Sequence, residues 1–235
     1  MREVGVGHAT TVLLDVDGTI INSNDAHAES WIDAFAEFGF SVGLEIVRPL
    51  IGMGGDKLMP VAIGVDAEGE VGQRIARRRA EIFRERYLPT LRPFPRAREL
   101  LERMRADGYT LVVATSAQAD EMQSLVRAAG VADLLDEATT SSDAERSKPD
   151  PDIVRAALDR SRAEPNEAIM LGDTPYDVEA ALGAGVLIVA LLSGGWRAEE
   201  LRGAVEIYAD TADLLREYDR SVFARARRPA MGSSR

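Results

Sequence analysis

Thr11-Val12-Leu13-Leu14-Asp15-Val16-Asp17-Gly18-Thr19 is the stretch from which the rest of this chain is read. Val12, Leu13 and Leu14 form an apolar run that halts at Asp15, the pattern of a strand buried on both faces. The strand is predicted over Thr11–Asp15. Side chains alternate along a strand, so Asp15 and Asp17 project to the same side where it emerges. Open α/β sheets bind ligands outside the carboxyl ends of their strands. Two carboxylates at such an end repel, and a proton or a bound cation must relieve them. Gly18 permits the tight turn that follows. A plain strand-to-loop turn also favours Asp and Gly, so the stretch gains its weight from what lies downstream.

Further apolar runs predict strands at Tyr109–Ala114, Leu134–Ala138, Ala168–Leu171 and Val186–Leu191, separated by amphipathic helices. Ala97, Leu100, Leu101 and Met104 mark one such helix, with Gly108 as its stop. The pattern predicts an α/β fold with a Rossmann-like parallel sheet. From Ile21 to Leu91 no strand is legible. Trp31, Ala34, Phe35 and Phe38 make one helical stripe, and Val71, Ile75, Ile82 and Phe83 a second. About seventy residues of helix after the first strand are too many for a crossover, which predicts an inserted all-helical domain. The expected division is a core of residues 1–20 and 92–223, a helical cap of residues 21–91 and a disordered tail of residues 224–235.

The 235 residues contain no cysteine, which excludes disulfides, thiolate metal sites and a thiol nucleophile. With only His8 and His27, a zinc site built from several imidazoles is disfavoured. The 28 basic against 39 acidic residues leave a net charge of −11, unsuited to broad nucleic-acid binding. Met1–Thr10 lacks a signal-like apolar stretch, and Val186–Leu192 is too short to span a bilayer. A soluble cytoplasmic protein is expected, without nucleic-acid or membrane partners. Its oligomeric state is not legible.

Three further groups carry chemistry. Gly172-Asp173-Thr174-Pro175-Tyr176-Asp177 follows a strand and opens a helix, with Asp173 at the strand end and Asp177 about one turn on. Helix capping alone would also select these residue types, and capping and metal ligation can coexist. Lys148 is one of two lysines, with Lys57, beside 26 arginines. A compact ammonium there suits a place where a planar guanidinium does not fit, against the alternative of a solvated lysine before a helix. Thr115 and Ser116, after Leu111–Ala114, offer hydroxyls and backbone N–H groups as an anion cradle, or simply caps.

In order and spacing, Asp15-Val16-Asp17-Gly18-Thr19, Thr115, Lys148 and Gly172-Asp173…Asp177 resemble the haloacid dehalogenase-like hydrolase superfamily, in its helical-cap branch. That branch includes phosphoglycolate-phosphatase-like and β-phosphoglucomutase-like enzymes. The resemblance covers about Thr10 to Tyr218. It implies a Mg²⁺-dependent phosphatase acting on a small phosphorylated metabolite through an aspartyl-phosphate. It implies Asp15 as nucleophile and Asp17 as general acid/base, with Thr115, Ser116 and Lys148 holding the phosphoryl group. Asp15, the Asp17 main-chain carbonyl and Asp173 would bind the metal, with Asp177 in support. The cap segment Leu50–Lys57 would face the substrate, which makes Arg48, Gly54 and Lys57 candidates for contact.

The rival within the family is a phosphomutase. The β-phosphoglucomutase-like cap carries a lysine and an arginine in the segment matching Leu50 to Gly55, where this chain has Ile51 and Gly55, which favours plain hydrolysis. From another class, a catalytically silent phospho-ligand-binding module would retain the fold. A mere binder gains nothing from two adjacent acids. The arginines Arg74, Arg77, Arg78, Arg79, Arg84 and Arg86 read as a solvated helix face, and His27 as packing or surface.

Overall fold

The computed structural model describes residues 8–227, and the aliphatic runs set its layers. β1 (Thr11–Leu14) leads into α1 (Asn24–Glu37), α2 (Leu44–Val47), α3 (Gly55–Ile63) and α4 (Glu70–Ile82). The chain then alternates: α5 (Ala97–Ala106), β2 (Thr110–Ala114), α6 (Ala119–Ala128), β3 (Glu137–Thr139), α7 (Asp152–Ser161), β4 (Ala168–Gly172), α8 (Pro175–Gly183) and β5 (Leu187–Leu191). β6 (Glu206–Tyr208), α9 (Thr211–Arg216) and α10 (Val222–Arg227) complete the described residues.

The six strands form one parallel sheet in the order β3-β2-β1-β4-β5-β6. β1 lies between β2 and β4, with Thr11 opposite both Thr110 and Ala168. Successive residues of β1 feed opposite cores. Val12 and Leu14 join Leu100, Leu125 and Phe223 on one face, while Leu13 joins Ile153, Val178 and Met170 on the other. Burial on both faces is why the strand reads as unbroken aliphatic sequence. The connection changes direction across the sheet between β1 and β4, so the ends of β2, β1 and β4 open into one crevice.

Trp31, Phe35, Val47, Leu58, Met59, Ile75 and Ile82 pack into a separate core within the helical segment after β1. The segment's two connections run side by side. Asn22 N donates to Arg92 O at 3.1 Å and Phe94 N to Ile20 O at 3.0 Å.

Several expectations are corrected. Leu134 does not start a strand: Ala132–Leu134 is a 3₁₀ turn, its last N–H bonded to Val131 O, and β3 begins at Glu137. β6 escaped the sequence reading because Glu206, Ile207 and Tyr208 are all only partly buried and form no apolar run. Val71 is exposed, off the cap stripe, and Phe83 packs with the sheet's core. Residues 224–227, assigned to a tail, continue α10 and bury Ala224 and Ala226. Residues 228–235 of that span lie outside the described residues.

Leu13→Ala, at a fully buried position of the central strand, is expected to destabilise the protein by about 2–5 kcal/mol, read from urea unfolding with an unchanged m-value.

Candidate active site

The crevice collects Asp15 from the end of β1, Thr115 from the end of β2 and Asp173 just past β4. All three are buried. Asp15 N donates to Leu171 O at 2.9 Å, extending the β1–β4 pairing by one residue and fixing the carboxylate at the sheet's rim. The chain then turns at Gly18, whose φ is +75°. A Cβ at Gly18 or at Gly194 would collide with the Asp173 carboxylate, so both positions admit only glycine's close approach.

Lys148 enters from the loop before α7 and is almost wholly buried. Its Nζ donates to Asp15 Oδ1 at 2.5 Å and to Asp177 Oδ1 at 2.7 Å. Asp177 is also the N3 residue of α8. Its Oδ2 accepts Thr174 N at 3.0 Å and Thr174 Oγ1 at 2.6 Å, while its own N–H donates to Thr174 Oγ1. A reciprocal capping box therefore aims the carboxylate at the lysine. Capping and site chemistry coincide in one residue. Asp173 is oriented from the other side, accepting Thr19 Oγ1 at 2.7 Å and Asn24 Nδ2 at 3.0 Å.

Charge is unbalanced in this cluster. Asp15, Asp173 and Asp177 place one oxygen each within 4.8 Å of one another, with one ammonium among them. Burial pushes the Asp15 carboxyl up to about 7 against the pull of Lys148, and Asp177 and Asp17 add to the rise. Burial likewise lifts Asp173 well above the carboxylate range, helped by Asp15 and Asp177. Burial disfavours the Lys148 ammonium, but Asp15 and Asp177 outweigh it and hold the charge.

Those residues fit a hard divalent cation. The donors are all carboxylate oxygens, as Mg²⁺ prefers, and the negative excess is what a cation would relieve. Asn24 Oδ1, beside Asp173, is buried without a hydrogen-bond partner, an acceptor suited to a water in a hydrated ion's shell.

Asp17 lines the same cavity as Asp15 but is held by different partners. Its Oδ1 accepts Ser23 Oγ at 2.5 Å and meets His27 Nε2 at 2.6 Å. Burial works to raise its pKa, but His27, Ser23 and Arg79 together outweigh burial and hold it below the ordinary range. Arg79 fixes the histidine tautomer. A guanidinium only donates, so His27 Nδ1, which Arg79 contacts, accepts, and Nε2 carries the proton toward Asp17. Arg79 also donates to Ser30 Oγ at 3.1 Å and Glu121 Oε2 at 2.6 Å.

A small cavity of about 80 Å³ opens over these groups, lined by Asp15, Asp17, Thr115, Ser116, Gly54 and Arg79 among others. Thr115 Oγ1 accepts Ala117 N at 3.1 Å, and Ser116 Oγ accepts Lys148 N at 3.4 Å. Of the cap candidates only Gly54 lines this cavity. Arg48 is spent on Asp25 at 2.5 Å and Gly194 O at 2.8 Å. Lys57 donates to Ser147 O at 2.7 Å and pairs with Asp150, so its ammonium serves the contact between α3 and the Lys148 loop.

His27 and Arg79 depart from the expectation of packing or surface for the one and a solvated helix face for the other. Arg79 was grouped with exposed arginines, yet it is nine-tenths buried. Its spacing from Ile75 and Ile82, at i+4 and i−3, places it on the apolar stripe, and that signal was available. Thr19, Ser23, Asn24 and Glu121 were unassigned.

A family model for haloacid dehalogenase-like hydrolases matches residues 12–191. The chain belongs to the haloacid dehalogenase-like hydrolase family. A phosphoglycolate phosphatase from Nitrosospira multiformis is 30% identical over 179 residues, 74% of this chain and 79% of that protein. The pyrophosphatase PpaX from Bacillus velezensis is 29% identical over 211 residues, 88% of this chain and 92% of that protein. Among solved structures, a hydrolase from Pseudomonas syringae superposes with a TM-score of 0.83 at 28% identity, covering 90% of this chain and 98% of that one. CbbY from Rhodobacter sphaeroides, solved with phosphate, gives 0.75 at 26% identity over 88% and 96%. This haloacid dehalogenase-like hydrolase has the parallel α/β fold expected from its sequence. The reading as a phosphoric monoester hydrolase agrees with the names of these relatives.

In chelator, thermal stability is expected to fall as pH rises. Asp15 binds its proton more tightly folded, at about 7, than its ordinary 3.8, so its contribution is complete below about 4 and lost through about 7. Melting curves in EDTA between pH 4 and 8 should show a steeper fall for the wild type than for Asp15→Asn, which cannot titrate there.

Proposed function

We propose that this hydrolase is a Mg²⁺-dependent phosphatase that cleaves a small phosphate monoester through an aspartyl-phosphate on Asp15. The observation that carries the proposal is the convergence of Asp15, Thr115, Lys148 and Asp173, with the Lys148 ammonium 2.5 Å from the Asp15 carboxylate. In this reading residues 21–91 cap a core formed by residues 1–20 and 92–223.

Asp15, the Asp17 main-chain carbonyl and Asp173 would hold the ion, with Asp177 in support through Lys148. Bound there, Mg²⁺ supplies positive charge that offsets repulsion between phosphate and carboxylate. Lys148 shares that task, and its burial keeps its charge unscreened by water. The Thr115 hydroxyl and the Ser116 backbone and hydroxyl would cradle the phosphoryl oxygens.

The unprotonated oxygen of Asp15 attacks phosphorus, and the bond from phosphorus to the ester oxygen breaks. Asp17 gives its proton to that departing oxygen, releasing an alcohol. Water then attacks the phosphorus of the acyl-phosphate and returns a proton to Asp17, while the Asp15 carboxylate leaves with the bonding pair. Inorganic phosphate is the second product. His27 holds Asp17 ionised at rest, and the added negative charge of an arriving ester would favour its protonation. Ile51 is buried and apolar and Gly55 lies against Trp31, so neither position offers a cation for a second phosphate, which supports hydrolysis over phosphoryl shuttling. Among the described residues no helix is long and apolar enough to cross a membrane, and a cysteine-free chain accords with a cytoplasmic setting.

Phosphate release from a panel of metabolite esters is expected with Mg²⁺ and is expected to vanish in EDTA. Asp15→Asn should lower kcat by at least about three orders of magnitude while the variant still folds, as far-UV dichroism would show. Chelator-insensitive release, or an Asp15→Asn enzyme of near-normal rate, would remove the mechanism.

The network around Asp17 gives a separate expectation. Arg79→Met should lower kcat more than it raises KM, about tenfold to a hundredfold, because it frees His27 to change tautomer and orientation. Arg79→Lys should recover only part of the rate. Steady-state kinetics on one ester checks this.

A further inference from the structure

The catalytic cavity is small, and it does not end there. A second cavity of about 510 Å³ adjoins it between the helical segment and α6. The two share Trp31, Gly55, Arg79, Ser116, Ala117 and Glu121 as lining, so the Arg79–Glu121 pair stands at their junction. If phosphorus sits over Asp15, the ester's organic group has this larger space to occupy.

The chamber's chemistry is uneven. Trp31, Met59, Phe83 and Leu88 give it an apolar wall. Its charged lining is four carboxylates, Asp56, Glu68, Asp120 and Glu121, against two guanidiniums, Arg79 and Arg84. Arg79 is already engaged by Glu121, His27 and Ser30, and it lies over the rings of Trp31 and Phe83. That leaves Arg84 as the other lining cation, exposed like Asp56, Glu68 and Asp120, with Asp56 accepting from Ser147 Oγ. Lys57 and Arg48, which an anionic substrate would need, are bonded elsewhere. A second negative charge on the substrate would enter a space where three carboxylates outnumber Arg84, the one lining cation in no ion pair among the described residues.

We infer that the leaving group of this enzyme is an uncharged or amine-bearing organic group of about sugar size, and that the chamber disfavours carboxylate- and phosphate-bearing leaving groups. The inference rests on the phosphatase reading and narrows it. It sets this chain apart in chemistry from relatives named for phosphoglycolate or pyrophosphate, whose leaving groups are anionic. The volume is in the range that holds a ligand larger than a two-carbon acid. Hydroxyl or amine groups would find Ser124, Gln118, Asp120 and Glu68 as partners, and a ring or chain face would lie on the apolar wall.

The test uses the full-length protein with Mg²⁺ and two matched ester series read by phosphate release. The small series is phosphoglycolate, 2-hydroxyethyl phosphate and phosphoethanolamine, near-isosteres whose leaving groups carry −1, 0 and +1. The larger series is 6-phosphogluconate, sorbitol 6-phosphate and glucosamine 6-phosphate. Within each series kcat/KM for the neutral and cationic members is expected to exceed that of the carboxylate about threefold or more, the scale of repulsion from solvent-facing, screened carboxylates. The larger series is expected to outrun the smaller. In Glu68→Gln/Asp120→Asn the ratio of carboxylate to neutral kcat/KM should rise severalfold. A carboxylate ester handled as well as its neutral partner, or an unchanged ratio in the variant, overturns the inference and leaves the phosphatase reading standing. No phosphate released from any ester overturns both.

Discussion

Three carboxylates and one ammonium, all withdrawn from water, set the terms for this molecule. Asp15 and Asp177 flank Lys148 with Asp173 beside them, so that the cluster, if fully ionised, would carry two negative charges in excess. At low dielectric such an excess is costly, and the fold tolerates it only because each carboxylate is held by other dipoles. Asp177 is satisfied by the first turn of α8, Asp173 by Thr19 and Asn24, and Asp15 by the lysine. A proton or a bound cation must relieve what remains, which is why burial lifts Asp15 and Asp173. The sheet order serves the same cluster, since neighbouring β1 and β4 bring Asp15 and Asp173 to one rim, with Thr115 beside them from β2.

A second layer of polar contacts ties the helical segment to this cluster. Gly54 N donates to Ser147 Oγ, which donates in turn to Asp56, and Lys57 pairs with Asp150. These bonds grip both sides of the loop that carries Lys148. Arg79 does the same for Asp17, reaching it through His27 while holding Glu121 of α6. The Lys148 loop and Asp17 are thus each braced by residues from the helical segment. A substrate that disturbs the helices disturbs the charges beneath them.

Much of the architecture was legible because its determinants are local. Aliphatic runs buried on two faces announced β1, β2, β4 and β5, and the missing strand between Ile21 and Leu91 announced the helices. Asp15, Thr115, Lys148 and Asp173 were legible because each sits in or beside a strand-end or turn pattern. β6 was not, since an edge strand packed on one side needs no apolar run, and β3 was misplaced by the apolar residues of a 3₁₀ turn. His27 and Arg79 were misread because their partners lie far away in sequence. An arginine among arginines carries no local mark of burial, and a histidine ten residues past an aspartate announces no hydrogen bond. Arg48 and Lys57 failed for the converse reason. Their charge suggested a substrate, and nothing nearby in sequence revealed Asp25 or Asp150 as the partner.

The choice between lysine and arginine shows how closely geometry governs composition here. Cations in this chain are overwhelmingly arginine, yet the position between Asp15 and Asp177 is lysine. A point-like ammonium on a thin stem reaches both carboxylates inside a packed rim, where a planar fork would demand more room and impose its own orientation. At Arg79 the preference reverses. One flat guanidinium lies against Trp31 and Phe83 and still donates in three directions, to Ser30, His27 and Glu121. An ammonium has the donors but not the plane, and it would be held less firmly between those rings. Charge alone would accept either residue at either place. Shape decides, and it assigns the compact cation to the space between Asp15 and Asp177 and the planar one to the alignment of His27 beside Asp17.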